Sequence, residues 1–256
     1  MDRVVWVTGA GSGIGRATAV AFAKMGARVA LTGRRTEALA DTAAMIGDAA
    51  IVVAADLSDP AEITRAHAAV VASLGPVEVL VNNAGSNTRH RHWHELAPEA
   101  MATMMDVNLR APFLCSMAVL PAMRERKTGT LIHIASVSAV TMFPASGPAY
   151  GASKAGVSMM SAHLNAEEGI HGIRSICINP GEVATEILDR RPKPPSAEDR
   201  ALMLHADDIA AAAVFAASLP GRATVADMTI LATDNQIWRP FARGIAQTAV
   251  QANAKG

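Results

Sequence analysis

Tyr150 and Lys154 combine a phenol and an amine at a spacing that suits proton transfer. The two residues are four positions apart and open an apolar, Ala-rich run. If that run is helical, both side chains lie on one helix face. A free phenol titrates near ~10, and a neighbouring ammonium favours the phenolate, which would make Tyr150 a general acid or base. An isolated pair of this kind is more often a tyrosine at a helix start and a solvated lysine, so the rest of the chain must decide.

A glycine-rich turn near the start of the chain has the composition of a phosphate-binding loop. Gly9, Gly13 and Gly15 stand between a strand-like segment at 3–7 and an apolar-periodic segment at 17–25. Glycines permit close backbone approach, and the amides of a helix N-terminus can receive a pyrophosphate. The spacing G-x-x-x-G-x-G departs from the simpler G-x-G-x-x-G fingerprint, so a plain tight turn is the alternative interpretation.

Strand and helix patterns alternate along most of the chain, which predicts a parallel sheet covered by helices on both faces. Strands are predicted at 3–7, 28–32, 50–54, 77–81, 131–135, 173–178 and 225–231. Helices are predicted at 17–25, 36–46, 60–74, 98–126, from 150 onward and at 207–218. Pro112 should interrupt the fourth of them, whose methionines at 101, 104, 105 and 117 are expected in the core or a subunit interface.

Composition favours small-molecule chemistry in a single domain. Half of the 256 residues are apolar, which suits one large α/β domain over 1–256 with a core at 3–231, a lid or substrate loop at 186–206 and an unassigned tail at 238–256. Zero net charge and 4% aromatic residues do not suggest a nucleic-acid or anionic-membrane binder. No signal peptide or membrane span is expected, and Cys115 and Cys177 are expected to be buried free thiols of a cytoplasmic protein.

Further motifs stand in order along the chain. They are Thr8-Gly9-Ala10-Gly11-Ser12-Gly13-Ile14-Gly15, Asp56, Asn82-Asn83-Ala84-Gly85, Asn108, Ser136, Tyr150 with Lys154, and Pro180-Gly181 followed by Val183 and Thr185. Together they resemble the short-chain dehydrogenase/reductase family over residues 3–231. The resemblance implies a Rossmann-type doubly wound sheet of about seven strands in the order 3-2-1-4-5-6-7. It also implies a homodimer or homotetramer that transfers a hydride between NADP or NAD and a carbonyl or alcohol substrate.

The same resemblance assigns four catalytic residues. Tyr150 would exchange a proton with the carbonyl oxygen, and Ser136 would hydrogen-bond that oxygen. Lys154 would hold the ribose hydroxyls of the cofactor and lower the pKa of Tyr150. Asn108 would support a water that links Lys154 to solvent.

Cofactor contacts are implied at the ends of several strands. They are Gly9, Ser12, Gly13, Ile14 and Gly15 in the first turn, Asp56 and Leu57 near the adenine, Asn82, Ala84 and Gly85 beside the cofactor, Tyr150 and Lys154, and Pro180, Gly181, Val183 and Thr185 near the nicotinamide. Arg34 and Arg35 follow the second strand, where an enzyme that uses NAD would offer a carboxylate. Guanidinium groups suit a 2′-phosphate, so NADP is favoured over NAD.

Two departures from the family pattern affect the site. Tyr150 follows Ser136 by fourteen positions, one more than is usual in the family, so the intervening loop should bulge. Ser138 is the rival for the catalytic serine, although Ser136 directly follows the predicted strand. The last predicted strand lacks the usual Asp-Gly-Gly ending and looks more like the branch that acts on small hydroxy acids, hydroxyamino acids or similar alcohols.

The loop from Arg89 to His94 alternates arginine and histidine. No metal site is expected there, because the arginines repel a cation and no acidic partner is apparent. Arg89, Arg91, Arg190, Arg191 and Lys193 could favour an anionic substrate or could be ordinary surface charge. Two other functions share the motifs: a 3-oxoacyl-thioester reductase, and a dinucleotide-binding regulatory protein without turnover.

Overall fold

Seven parallel strands form one sheet in the order β3-β2-β1-β4-β5-β6-β7, which confirms the predicted topology. The computed structural model describes residues 3–235, 238 and 239, so nearly all of the predicted tail at 238–256 lies outside the described residues. The strands are β1 (Val4–Thr8), β2 (Arg28–Gly33), β3 (Ala50–Ala54), β4 (Val79–Asn82), β5 (Gly129–Ile134), β6 (Ile173–Pro180) and β7 (Asp227–Ile230). Because every neighbouring pair is parallel, all carboxyl ends meet at one edge.

Helices cover both faces of this sheet. They are α1 (Gly13–Lys24), α2 (Thr36–Ile46), α3 (Pro60–Leu74), α4 (Pro98–Met105), α5 (Ala111–Arg126), α6 (Pro148–Glu168), α7 (Ala197–Ala201) and α8 (Ala206–Ser218). Side chains of a strand alternate between faces. On β1, Val5 and Val7 therefore pack with Phe22 of α1 on one face, while Trp6 packs with Ile63 of α3 on the other. Each face of the sheet thus has its own apolar layer.

The predicted interruption at Pro112 occurs one turn before the proline. A π-helical turn at Asp106–Arg110 separates α4 from α5. Proline has no N–H to offer the preceding turn, and at this point the amide of Ala111 donates to the carbonyl of Asp106, five residues back. The change in winding places Asn108 in the interior with no exposed surface. The methionines of this region differ in burial: Met104 is buried, whereas Met101 and Met117 are exposed.

The predicted lid at 186–206 contains regular structure. A 3₁₀ turn at Glu186–Arg190 is followed by α7, which Ser196 and Asp199 cap reciprocally. Arg200 pairs with Asp189 inside the segment, and Arg191 pairs with Glu182 outside it. These ion pairs fix the segment along the carboxyl edge of the sheet.

The sequence also led to expectations about the cysteines and about the length of the helices. Cys115 and Cys177 are buried free thiols, as predicted. Within residues 3–235, 238 and 239, no helix has the length and apolar character needed to cross a membrane.

Candidate active site

A cleft of about 440 Å³ opens along the carboxyl edge of the sheet. It lies where the strand order reverses, since β1 pairs with β2 on one side and with β4 on the other. Open α/β sheets bind ligands at this reversal. The residues that follow β1, β2, β4 and β5, and those that end β6, line the cleft together.

The glycine turn forms the floor of the cleft. Gly9, Ser12, Gly13 and Ile14 line it, and α1 begins at Gly13, so the first turn of the helix faces the cleft. Gly15 does not line the cleft; a Cβ there would overlap the carbonyl oxygen of Gly9 and the amide of Asn83. Gly15 therefore allows α1 to pack against the turn, and the turn presents backbone amides.

Asp56 and Leu57 line the same cleft beyond β3. The Asp56 carboxylate accepts hydrogen bonds from the Ser58 amide at 3.0 Å and the Ser58 hydroxyl at 2.8 Å. The Ser58 amide, and then its hydroxyl and Arg34, hold the pKa of Asp56 below its ordinary value. Asp59 caps α3, accepting from the Ala61 amide at 2.8 Å, so the Asp56 carboxylate is not needed as the helix cap.

Arg34 and Arg35 both line the cleft at the end of β2. Arg35 donates to the Ser12 hydroxyl at 3.2 Å and lies 3.8 Å from the Glu186 carboxylate. The Arg35 guanidinium thus lies beside the glycine turn.

The asparagine pair after β4 points in two directions. Asn82 does not line the cleft: its Nδ2 contacts the Ser116 hydroxyl and Nδ1 of His133, each at 3.2 Å, inside the protein. Asn83 lines the cleft and donates to the carbonyls of Thr8 and Gly9 at 3.0 and 3.2 Å. The sequence assigned Asn82 to the cofactor, whereas Asn83 braces the glycine turn. Successive residues alternate sides, which explains the difference. Ala84 and Gly85 line the cleft.

His133 behind Asn82 should make the stability of the fold depend on pH. Its Nε2 has no hydrogen-bond partner among the described residues. Burial, and then the charge of Lys154, lowers the pKa of His133 to about 3. Below pH ~6.5 His133 binds a proton in the unfolded chain but not in the folded chain. The free energy of unfolding therefore falls progressively towards pH 3, by up to ~1.4 kcal/mol per pH unit.

Denaturant unfolding at several pH values between these limits measures that slope. His133→Asn keeps a hydrogen-bond acceptor for Asn82 and should reduce the change in unfolding free energy by up to ~1.4 kcal/mol per pH unit. His163→Asn, at an exposed position, should leave that change as in wild type. Equal slopes for wild type and His133→Asn would show that His133 is not buried in its neutral form.

Asn108 connects the π-helical turn to two neighbouring elements. Its Oδ1 accepts from the Ser86 amide at 2.7 Å, and its Nδ2 donates to the Ser86 carbonyl at 2.9 Å and the Ser153 hydroxyl at 3.2 Å. It does not line the cleft. A Cβ at Gly85 would lie 3.5 Å from both Asn108 Oδ1 and Lys154 Nζ. The two side chains therefore border the same small space above Gly85.

Ser136 and Ser138 both line the cleft, but in different settings. Ser136 follows β5, and its hydroxyl is close enough to the Tyr150 phenol to lower the pKa of that phenol; its Oγ accepts from the Ser138 amide at 3.1 Å. The Ser138 hydroxyl instead donates to the Ser146 hydroxyl at 3.0 Å. The long connection to Tyr150 contains two 3₁₀ turns, Val137–Ala139 and Pro144–Ser146, which take up its length.

Tyr150 and Lys154 lie on the first turns of α6 and both line the cleft. Lys154 is buried, and its Nζ lies 5.8 Å from the centre of the Tyr150 ring. The ammonium donates to the Ile134 carbonyl at 2.7 Å, at the end of β5. The pair therefore shares one helix face, as the spacing predicted.

The pKa values at this pair differ from the sequence expectation. Burial raises the pKa of Tyr150, opposed first by the Ser136 hydrogen bond and then by the charges of Arg191 and Arg91. Burial also lowers the pKa of Lys154 to about 8. The Lys154 ammonium is directed to the Ile134 carbonyl, and burial is the largest influence on the pKa of the Tyr150 phenol. In this structure the phenol is held in its protonated form.

The segment after β6 closes the far side of the cleft. Pro180, Gly181, Val183 and Thr185 all line it. The Gly181 amide donates to the Ile230 carbonyl of β7 at 2.7 Å, which fixes the start of the segment. Thr185 lies opposite the glycine turn, since a Cβ at Gly13 would contact its side chain at 3.1 Å.

The loop at 89–94 has an acidic partner that the sequence interpretation did not recognise. Glu95 accepts hydrogen bonds from the Arg91 amide at 3.1 Å and the His92 amide at 3.3 Å. The Arg91 amide first, and then His90, lowers the pKa of Glu95 to about 2. Glu95 thus shapes the loop from its C-terminal end. Among the described residues, no cluster of three or more His, Cys, Asp or Glu could hold a metal.

Comparison with known proteins agrees with this geometry. A family model described as short chain dehydrogenase matches residues 3–195. A short chain dehydrogenase of Pseudocercospora fijiensis is 41% identical over 187 residues, 71% of this chain and 60% of that protein, so the chain spans three fifths of that relative's length. The 2-(R)-hydroxypropyl-CoM dehydrogenase of Xanthobacter autotrophicus is 35% identical over 208 residues, 79% of this chain and 83% of the relative.

A solved structure extends the likeness over most of the chain. The closed form of a serine dehydrogenase complexed with NADP⁺ has a TM-score of 0.83 and 30% identity, covering 89% of this chain and 94% of that one. The matched family model, the strand order and the ordered motifs agree. The chain belongs to the short-chain dehydrogenase/reductase family.

Proposed function

We propose that this protein is an oxidoreductase that interconverts a secondary alcohol and a carbonyl with NADP(H) or NAD(H), using Tyr150 as the general acid and base. The observation that carries the proposal is the convergence of Tyr150, Ser136 and Lys154 on one cleft that the glycine turn also lines. These three side chains come from the end of β5 and the start of α6. A protein that needed only to hold a dinucleotide would not require the phenol and the serine hydroxyl beside each other.

The cleft fits a nicotinamide dinucleotide. Its floor is the glycine turn at the N-terminus of α1, where amides are free to receive a pyrophosphate. Side chains at Gly13 and Gly85 would fill the space there, since each would contact neighbouring groups at 3.1 to 3.5 Å. The solved serine dehydrogenase of similar fold is complexed with NADP⁺. The nicotinamide would supply the hydride.

The chain's own residues would handle the proton and the orientation. Tyr150 would donate its proton to the carbonyl oxygen during reduction and accept it during oxidation, and Ser136 would hydrogen-bond the same oxygen. The Lys154 ammonium would hold the ribose hydroxyls. Asn108 Oδ1 and Lys154 Nζ border the space above Gly85, and a water there would connect Lys154 to the proton supply.

We favour NADP as the cofactor. Arg34 and Arg35 stand at the end of β2, and both line the cleft. A pair of guanidinium groups suits a 2′-phosphate, which is doubly charged and accepts planar hydrogen bonds. Asp56, which follows the neighbouring strand β3, lies close enough to Arg34 for the guanidinium charge to lower the pKa of its carboxyl.

Turnover assays with wild-type protein test the proposal. Oxidation of NADPH and of NADH is followed with ketones, oxo acids and acyl thioesters. We expect turnover with small ketones or oxo acids and a KM for NADPH at least about tenfold below that for NADH, because the 2′-phosphate adds charge-assisted hydrogen bonds. Turnover confined to acyl thioesters would favour the 3-oxoacyl-thioester reductase. Tight cofactor binding without any turnover would favour a regulatory protein.

A further inference from the structure

Arg91 places a buried guanidinium at the wall of the cleft. The residue is only 3% exposed, although its loop is otherwise rich in exposed polar residues. Its Nη1 donates to the Ala145 carbonyl at 3.1 Å and its Nη2 to the Arg190 carbonyl at 2.8 Å. Arg91 therefore ties together the three loops that surround the site: its own, the one before Tyr150 and the one after β6.

The charge of Arg91 is not neutralised by this arrangement. Neutral carbonyls accept two of its five N–H groups, and its buried Nε has no partner among the described residues. In the described part of the chain no carboxylate lies within ion-pair distance of its guanidinium. Burying an unpaired charge is costly and is normally offset by an opposite charge.

A second guanidinium stands beside it. Arg191 also lines the cleft. Burial, and then the charge of Arg191, lowers the pKa of Arg91, and the Glu95 carboxylate opposes this. The Arg191 Nη1 pairs with Glu182 at 2.7 Å, so the Glu182 carboxylate is engaged by Arg191. Both cations are close enough to Tyr150 to lower the pKa of its phenol. The Arg91 guanidinium therefore lies beside the reacting position with the Glu95 carboxylate in electrostatic range, but with no ion pair to any described residue.

We infer that Arg91, assisted by Arg191, binds a carboxylate of the substrate, which makes the substrate a small hydroxy acid or the corresponding oxo acid. The planar guanidinium fork matches a carboxylate better than a neutral group. The anion would complete the charge balance of the cleft and satisfy donors that the protein leaves unpaired. The inference rests on the proposed function, because it names the substrate class of the same site.

The test compares substrates that differ only in charge. Rates of oxidation with NADP⁺ are measured for α-, β- and γ-hydroxy acids and for their neutral amides. Wild type should prefer the acid of one chain length. Arg91→Gln should lower kcat/KM for that acid about 10- to 100-fold, the loss expected for a charge-assisted hydrogen bond, and should change the amide less than about threefold. Arg89→Gln, an exposed arginine two positions away, should leave both unchanged.

Arg91→Lys separates charge from loop structure. Lysine keeps the positive charge but cannot reproduce both loop hydrogen bonds, so it should recover part of the preference for the acid. Equal losses on acid and amide in Arg91→Gln would show that Arg91 only holds the loops, and would overturn the inference. A wild-type preference for the amides would overturn it as well.

If no alcohol or carbonyl compound is turned over, the proposed function is wrong. Anion binding at Arg91 can still be measured directly in that case. Calorimetric titration with malonate, ethanesulfonate and inorganic phosphate should then show weaker malonate binding to Arg91→Gln than to wild type. The difference between the two proteins isolates Arg91 from other anion sites. Identical malonate binding, or tighter binding of phosphate or sulfonate at Arg91, would contradict a carboxylate site.

Discussion

Tyr150→Phe is expected to lower kcat by about 10²- to 10⁴-fold, the range that a positioned general acid contributes. The substitution removes only the hydroxyl and keeps the ring on the first turn of α6. Lys154 should stay in place, since its ammonium is held by the Ile134 carbonyl rather than by the phenol. Binding of NADPH, measured by fluorescence titration, should therefore change little while initial rates collapse.

The two serines provide the matched control for this prediction. The Ser136 hydroxyl lies close enough to the phenol to lower its pKa, whereas the Ser138 hydroxyl donates to the Ser146 hydroxyl. Ser136→Ala should lower kcat about 10- to 100-fold, the loss expected for one transition-state hydrogen bond, and Ser138→Ala should stay within a few-fold of wild type. A larger loss of kcat in Ser138→Ala than in Ser136→Ala would make Ser138 the catalytic serine. Rates within a few-fold of wild type in Tyr150→Phe would remove Tyr150 from its role.

The phenol can also be observed directly, because Tyr150 is the only tyrosine in the chain. Titration of phenolate absorbance in the cofactor-free protein therefore reports a single group. Burial raises the pKa of Tyr150, so the midpoint should lie above that of free tyrosine, and the protein should hold the proton at neutral pH. A midpoint below the ordinary value would show that Lys154 dominates after all.

Gly15→Ala is expected to produce the second large effect, on folding and cofactor binding together. A Cβ at this position would overlap the Gly9 carbonyl oxygen in the glycine turn and the Asn83 side-chain amide that donates to this carbonyl. These groups are anchored by backbone and by β4, so α1 must move. Overpacking of this kind costs about 1–3 kcal/mol in unfolding free energy. The displaced turn should weaken NADPH binding by about tenfold or more.

Gly169→Ala is the matched control for this change. The same added methyl meets nothing within 4 Å there, and the residue is exposed at the end of α6. Its unfolding midpoint and NADPH affinity should equal those of wild type. If Gly15→Ala also behaved like wild type, α1 would not pack on the turn as the structure places it.

The fold was largely predictable because local signals agreed with the sheet. The predicted bounds of α2 and β3, 36–46 and 50–54, match the structure, since polar and glycine residues mark their ends. α1 begins at Gly13 rather than at 17, because the glycines of the turn form the first helical turn themselves. The π-helical turn at Asp106–Arg110 was not predicted, because proline signals an interruption without specifying how the backbone rewinds.

Side chains next to strand ends and helix starts could be placed from the sequence. Side chains on long loops could not. Gly13, Ser136, Tyr150 and Lys154 meet at the cleft because each follows a strand or opens a helix at the carboxyl edge. Arg91 was proposed only as one of five surface or substrate-binding cations, because the path of its loop depends on contacts with residues far along the chain. Its burial is set by the Ala145 and Arg190 carbonyls, which no local pattern reveals.

Hydride transfer at the cleft that Tyr150 lines can be followed in the product. The most direct test uses NADPH that carries deuterium at the transferable position of the nicotinamide, with the best carbonyl substrate from the turnover assays. Mass spectrometry of the product should find deuterium on the carbinol carbon for wild type, and far less product for Tyr150→Phe over the same time. Product without deuterium at that carbon, or no consumption of NADPH by any carbonyl compound, would contradict the assignment.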